Sequence, residues 1–321
     1  TAMMELNETL SASMIQELRD VQDIARAGGS DVSSLVDCLV NAPRGGASKV
    51  REVFMASLPK GVRPALTVVE LNGEYGSFFP TSVACVASLP HPHDYPRTQL
   101  QVSGASGVAA HGLLHIEASG NATQAVRAMG HLIKVARGHG ASDLVDCSVY
   151  VREISYAKVV RAALENECKY GPPVLTIVRA GLEDPSSSVS FRCIAAVPAR
   201  PGGSVEVVRG PGVVRVDGKF AYISGQFARQ TNGTDAFNSL GVVLESVELS
   251  LSDVVNCLFF VRRATQVSKL FAGFYEAFNQ NHPPPPSRDE LEASSECEEC
   301  PLVAKCVAAL PVSQQHAAVL V

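Results

Sequence analysis

Phe220-Ala221-Tyr222-Ile223-Ser224-Gly225-Gln226 reads as an apolar strand running into a polar turn. A helix opens after it at Gly233-Thr234-Asp235, and a second apolar strand follows in Leu251-Ser252-Asp253-Val254-Val255-Asn256-Cys257-Leu258-Phe259-Phe260-Val261. A second helix runs to Phe278, and Pro283 to Pro286 then lead to Ser287-Arg288. One arginine in a rigid loop near a Ser-Gly turn is the constellation that looks most like a small-molecule site. The same strand–helix–strand–helix plan occurs twice upstream without that arginine.

The copies are spaced regularly. Cys38, Cys147 and Cys257 end the similar segments Ser34-Leu35-Val36-Asp37-Cys38, Asp143-Leu144-Val145-Asp146-Cys147 and Asp253-Val254-Val255-Asn256-Cys257, which are 109 and 110 residues apart. Self-similarity at a fixed period signals repeated structural units. Module one, residues 1–90, begins directly with a helix carrying Met14, Leu18, Val21, Ile24 and Ala25 at helical spacing, and so lacks an opening hairpin. Module two spans 97–198 and module three 204–310, with a tail at 311–321. The apolar run Ala317 to Val321 could add to the free sheet edge of module one. Each full unit reads ββ(β)αβαββ, an α/β (α+β) plan with amphipathic helices on one sheet face. The other face needs a partner, so three copies imply packing around a pseudo-threefold axis within one chain.

The bulk composition restricts function. Hydrophobic residues are 46% and charged residues 18% of 321, which fits a packed globular protein. A net charge of −5 without a dense basic tract argues against nucleic acid as a partner. No apolar run is long enough to cross a membrane as a helix. Six cysteines in apolar strands (Cys38, Cys85, Cys147, Cys193, Cys257, Cys306) read as small, reduced core residues, which implies a cytoplasmic protein. Cys297-Glu298-Glu299-Cys300 reads as an exposed acidic loop, since neither further zinc ligands nor a redox context is evident. No metal or cofactor is expected.

Module three resembles the RidA/YjgF family, also called the L-PSP endoribonuclease-like family. The resemblance rests on Phe220 with Tyr222-Ile223-Ser224-Gly225-Gln226, Ser252-Asp253-Val254-Val255, Phe260-Val261, Tyr275-Glu276-Ala277-Phe278 and Pro286-Ser287-Arg288. The Pro-Pro-Ser-Arg form is similar to RidA-like domains of eukaryotic diphthine–ammonia ligases. The resemblance implies a chorismate-mutase-like fold, sites in clefts between modules, and a monomer equivalent to a RidA trimer. It also implies hydrolysis of 2-imino or enamino acids to 2-keto acids and ammonia. Arg288 would be the catalytic clamp on a substrate carboxylate, with Ser224, Gly225, Phe220 and Asn281 binding the substrate.

The chain also departs from the family. The family glutamate on the final strand falls at or next to Lys305, and the arginine position falls at Leu66 and Val174 in the upstream modules. The Ser-Gly-Gln turn becomes Glu117-Ala118-Ser119 in module two. At most one family-like site is therefore expected. The alternatives are a non-catalytic scaffold of degenerate modules that binds a metabolite or a protein, and an endoribonuclease, which the acidic balance disfavours.

Overall fold

The computed structural model describes residues 2–71, 81–89, 97–137, 144–168, 171–197, 205–216, 220–278, 286–297, 299–310 and 319–320. Module one contains α1 (Ala2–Ala27), β1 (Leu35–Pro43), α2 (Ala47–Ser57), β2 (Ala65–Leu71) and β3 (Ser82–Ala87). Module two contains β4 (Thr98–Val102), β5 (Ala105–Ala110), β6 (Leu113–Gly120), α3 (Ala122–Arg137), β7 (Leu144–Val151), α4 (Ala157–Glu167), β8 (Val174–Arg179), β9 (Gly181–Leu182) and β10 (Val189–Ala196). Module three contains β11 (Val207–Gly210), β12 (Val213–Val216), β13 (Phe220–Ile223), β14 (Gln226–Ala228), α5 (Thr234–Glu245), β15 (Val254–Val261), α6 (Val267–Phe278), β16 (Ser287–Glu292), β17 (Ser294–Ser295) and β18 (Leu302–Ala309). A last strand, β19 (Val319–Leu320), lies in the tail.

Three sheets result, in the orders β19-β3-β1-β2-β9, β17-β8-β7-β10-β6-β5-β4 and β11-β12-β13-β18-β15-β16. In each, a central strand pairs in parallel with the strand after the second helix (β1 with β2, β7 with β8, β15 with β16) and antiparallel with the module's last long strand. Parallel neighbours need a crossover, which α2, α4 and α6 supply. The tail strand β19 pairs with β3 in module one, where β6 and β13 stand in the other two sheets.

Strand alternation assigns the two faces of each sheet. Cys38, Cys147 and Cys257 point into separate cores beneath the helices, with Phe54, Leu132 and Phe274 among their neighbours in the respective clusters. The opposite faces meet in one shared core, which joins Leu39 and Val69 to Tyr150 and Val178, and to Leu258 and Phe260. The apolar second face expected of each module is therefore buried against the other two. Neighbouring modules also share side cores: Val36 and Val86 with Val108 and Ala110, and Val145 and Val174 with Val214 and Tyr222.

The cysteines require a correction. Cys38 is bonded to Cys85, Cys147 to Cys193 and Cys257 to Cys306, and Cys297 is bonded to Cys300. The first three pairs face one another directly across antiparallel strands, with Cα atoms 4.1–4.2 Å apart, close enough to bridge without backbone movement. Buried cysteines on facing strands meet whichever core they enter, and spacing along the chain does not show which strands pair. The inference from free thiols to a reducing compartment falls with them. Cys300 is also buried, so the acidic segment is anchored and is not a wholly exposed loop. Cys168 is the one cysteine outside a disulfide, and it is buried.

Candidate functional site

The repeated plan sets what each inter-module cleft contains. Counted from the bridged cysteines, Leu66 lies beside Cys38, Leu175 beside Cys147 and Arg288 beside Cys257. The arginine position in module two is therefore Leu175 and not Val174. Arg288 itself lies within β16 rather than in a loop. Its guanidinium stacks on α6, 4.4 Å from the centre of the Phe271 ring and 5.1 Å from those of Phe274 and Tyr275, and it donates to the Tyr275 hydroxyl at 2.9 Å. Such stacking favours a planar cation.

The other expected site residues lie elsewhere. Ser224 follows β13, which β18 and β15 separate from β16; three strand spacings are about 14 Å. Gly225 faces module two, where its N–H donates to Thr176 Oγ1 at 2.9 Å. A Cβ at Gly225 would come within 2.6 Å of Val303 and 3.0 Å of Thr176, so glycine permits the close approach of modules two and three. Phe220 and Tyr222 line a cavity at the junction of the three sheets. Asn281 lies outside the described residues. Arg288 and the Ser224-Gly225 turn are thus not brought together. In a ring of modules each cleft combines one edge of a module with the opening hairpin of the next. By the same order the edge carrying Arg288 would face module one, in which no described strand precedes β1. The Ser-Gly turn faces module two, where Leu175 occupies the arginine position.

A larger cleft lies between modules one and two. It has a volume of about 690 Å³ and is lined by Arg51, Met55, Arg63 and Leu66 from module one and by Ser106, Glu117 and Ser119 from module two, among others. Arg51 projects from α2 at the position that Phe271 holds on α6. It ion-pairs with Glu183 at 2.5 Å, donates to the Leu66 carbonyl at 2.8 Å and approaches Glu117 to 4.0 Å. Arg161 on α4 forms the corresponding inter-module pair with Glu296 at 2.5 Å. Glu117 occupies the position of Ser224 on the neighbouring module. Its side chain is 17% exposed, and Ser106 Oγ donates to it at 3.3 Å. Burial raises the Glu117 pKa, and nearby Glu183 adds to the rise while Arg51 opposes it. Arg63 is exposed at the cleft. The arrangement holds a carboxyl poised for proton transfer beside guanidinium groups suited to an anion. Arg51 and Arg63 lie in no motif of the sequence, and Glu117 entered its reading only as a departure from the Ser-Gly-Gln turn. The usable signal was an acid on strand β6 at the position where module three has Ser224.

A second group, of which the sequence singles out only Lys305, surrounds the junction of the sheets. Asp37 and Asp146 precede the bridged cysteines of β1 and β7, and Arg192 and Lys305 precede those of β10 and β18. Alternation turns all four away from the helices and toward the axis. Arg192 grips Asp37 at 2.7–3.1 Å. Burial would raise the Asp37 pKa, but Arg192 and His115 together outweigh it and hold the group at about 2. Lys305 lies 2.9 Å from Asp146 and donates to Ser148 Oγ at 2.7 Å. The position expected of the family glutamate thus holds a lysine facing the axis. No group of side chains suited to a metal ion occurs among the described residues, and no described helix is long and apolar enough to cross a membrane.

No protein-family model and no curated protein matches the chain. Solved structures do. A chorismatase crystal structure matches with a TM-score of 0.57 at 12% identity, over 86% of this chain and 93% of that chain. A YjgF-family protein from Mycobacterium tuberculosis matches at 17% identity over 33% of this chain and 99% of its own, with a TM-score of 0.29. RidA from an Antarctic Psychrobacter matches at 18% identity over 35% and 92%, with a TM-score of 0.26. The chorismatase likeness spans nearly the whole chain and is one of fold. The chain has the chorismate-mutase-like fold, and the smaller RidA-like structures each span about a third of it.

Proposed function

We propose that the chain binds a small carboxylate-bearing metabolite between modules one and two and hydrolyses it, with 2-imino or enamino acids as the substrate class. The observation that carries this reading is Glu117, a largely buried carboxyl with a raised pKa in a cleft that also holds Arg51 and Arg63. Exposed Arg63 would grip the substrate carboxylate through its planar fork. Glu117, as carboxylate, would take a proton from water as the water adds to the C=N carbon. From the protonated imine this gives a carbinolamine; the acid so formed would protonate its amine, ammonia would leave as the C–N bond breaks, and the hydroxyl proton would return to the Glu117 carboxylate as C=O forms. A pKa moved toward the working pH suits a group that must act in both directions. Arg51, already paired with Glu183, holds the cleft wall.

One observation favours a second reading, a metabolite-binding scaffold without catalysis. Arg288 and the Ser224-Gly225 turn face different modules, so the arrangement that the family resemblance implies is not assembled.

The test is release of keto acid from 2-iminopropanoate or 2-iminobutanoate, generated in place by an amino-acid oxidase, with semicarbazide competing for the imine. Glu117→Gln should lower kcat by about 100-fold, the usual scale of an acid–base group. Arg63→Ala should chiefly raise KM. Chorismate is the next compound to assay, since the chorismatase structure matches most of the chain. A folded wild-type protein that binds these compounds without turning them over would favour the scaffold.

A further inference from the structure

The cavity where the three sheets meet has a built polar wall that the proposed cleft does not use. It has a volume of about 100 Å³, several times that needed for one water. At one end Leu113, Ile194, Phe220 and Val307 form an apolar and partly exposed mouth. Deeper lie Lys305, Asp146, Ser148 and His115. The Lys305 and Asp146 side chains are 6% and 9% exposed. His115 is 6% exposed, and its Nδ1 has no hydrogen-bond partner, standing 3.7 Å from Asp37.

Charge decides which ligand fits. Arg192 is neutralised by Asp37, and Lys305 by Asp146. An added anion would find no uncompensated arginine or lysine here, and an added cation no uncompensated carboxylate. A buried charge without a partner is costly, so the cavity suits a neutral molecule with an apolar body and one polar end. Lys305 Nζ, held 2.9 Å from Asp146 and 2.7 Å from Ser148 Oγ, is the reactive group at the polar end.

We infer that Lys305 is a nucleophilic amine that forms a Schiff base with a small, neutral aldehyde or ketone entering this cavity. The ammonium first passes a proton to Asp146. The freed amine then adds to the carbonyl carbon, and the carbonyl oxygen takes up the proton that Asp146 received. A second proton moves from nitrogen to the same oxygen through Asp146, and water leaves. One C=O bond is exchanged for one C=N bond, and the nitrogen ends as a protonated imine against the Asp146 carboxylate. The unpartnered His115 nitrogen is placed to accept a hydrogen bond from the intermediate hydroxyl or to donate one to the carbonyl oxygen. Burial lowers the Lys305 pKa and raises that of Asp146, with each partly restoring the other. Both shifts favour the neutral pair from which the amine reacts.

The experiment treats the full chain at pH 7 with acetaldehyde and sodium cyanoborohydride, and follows ethylation of each lysine by peptide mass spectrometry. Lys305 can pass its proton to Asp146 at 2.9 Å, an acceptor not given to exposed Lys60 and Lys158, so it should be ethylated about tenfold faster than either. Val307→Trp, which narrows the mouth, should stop labelling at Lys305 and leave Lys60 unchanged. If that variant fails to fold, Leu113→Phe makes the same comparison. Lys305 remaining unmodified while Lys60 and Lys158 react would overturn the inference. So would labelling that is equally fast with the mouth closed.

Discussion

Asp37 concentrates the electrostatics of the axis in one residue. Its pKa of about 2 in the folded chain lies below the unfolded value of about 3.9. The stabilisation is therefore complete above about pH 4 and is lost as pH falls through about 2, a change of about 2 kcal/mol. Asp146 and Glu117 have raised pKa values and act in the opposite sense: their contribution is greatest at low pH and falls as pH rises. The difference between wild type and Asp37→Asn isolates the first effect. Denaturant unfolding should show that difference shrinking between about pH 4 and 2; a constant difference would mean that Arg192 does not hold the carboxylate. At neutral pH the variant should lose about 3 kcal/mol, because buried Arg192 is left without its counter-charge. These residues were legible in part. A charged side chain inside an apolar strand recurs one position before a cysteine at Asp37, Asp146, Arg192 and Lys305. Recognising a cluster also requires knowing that three strand faces converge.

At the scale of elements, periodic apolar spacing predicted most helices and central strands, because their burial follows the pattern. The helix expected to open at Gly233-Thr234-Asp235 and the apolar strand ending at Val261 form where the sequence places them, as α5 and β15. Strand β5 carries little signal in the sequence. Ala105-Ser106-Gly107-Val108-Ala109-Ala110 has weak strand propensity, and its small residues answer to close packing: a Cβ at Gly107 would lie 2.5 Å from the His115 carbonyl. Arg288 read as part of a loop because the prolines before it end regular structure, yet Ser287 already pairs with Asn256. The tail strand is a tertiary choice, since its register with Val86 and Ala87 depends on an edge that module one leaves open. Truncation after Leu310 should speed amide exchange in β3 and leave β10 protected, because β6 covers the corresponding edge of β10. Unchanged protection in β3 would remove β19 from the account.

For the whole molecule, the cysteine period announced three units, but it did not reveal which edges meet. That order separates Arg288 from Ser224 and opens the cleft holding Glu117. The same repeat produces three cross-sheet disulfides with sequence separations of 47, 46 and 49 residues. Loop-closure entropy assigns a bridge over such a loop about 4 kcal/mol. Unfolding the unreduced chain in a thiol-reactive dye should titrate one thiol, from Cys168, rising to nine after reduction. Finding more than one before reduction would show that the bridges are open.

The central claim is that the working cleft lies between modules one and two. Imine hydrolysis by Glu117→Gln and Arg288→Ala, measured side by side with wild type, tests it most directly. Glu117→Gln should lose about 100-fold and Arg288→Ala should change little. Loss in Arg288→Ala with full activity in Glu117→Gln would contradict it.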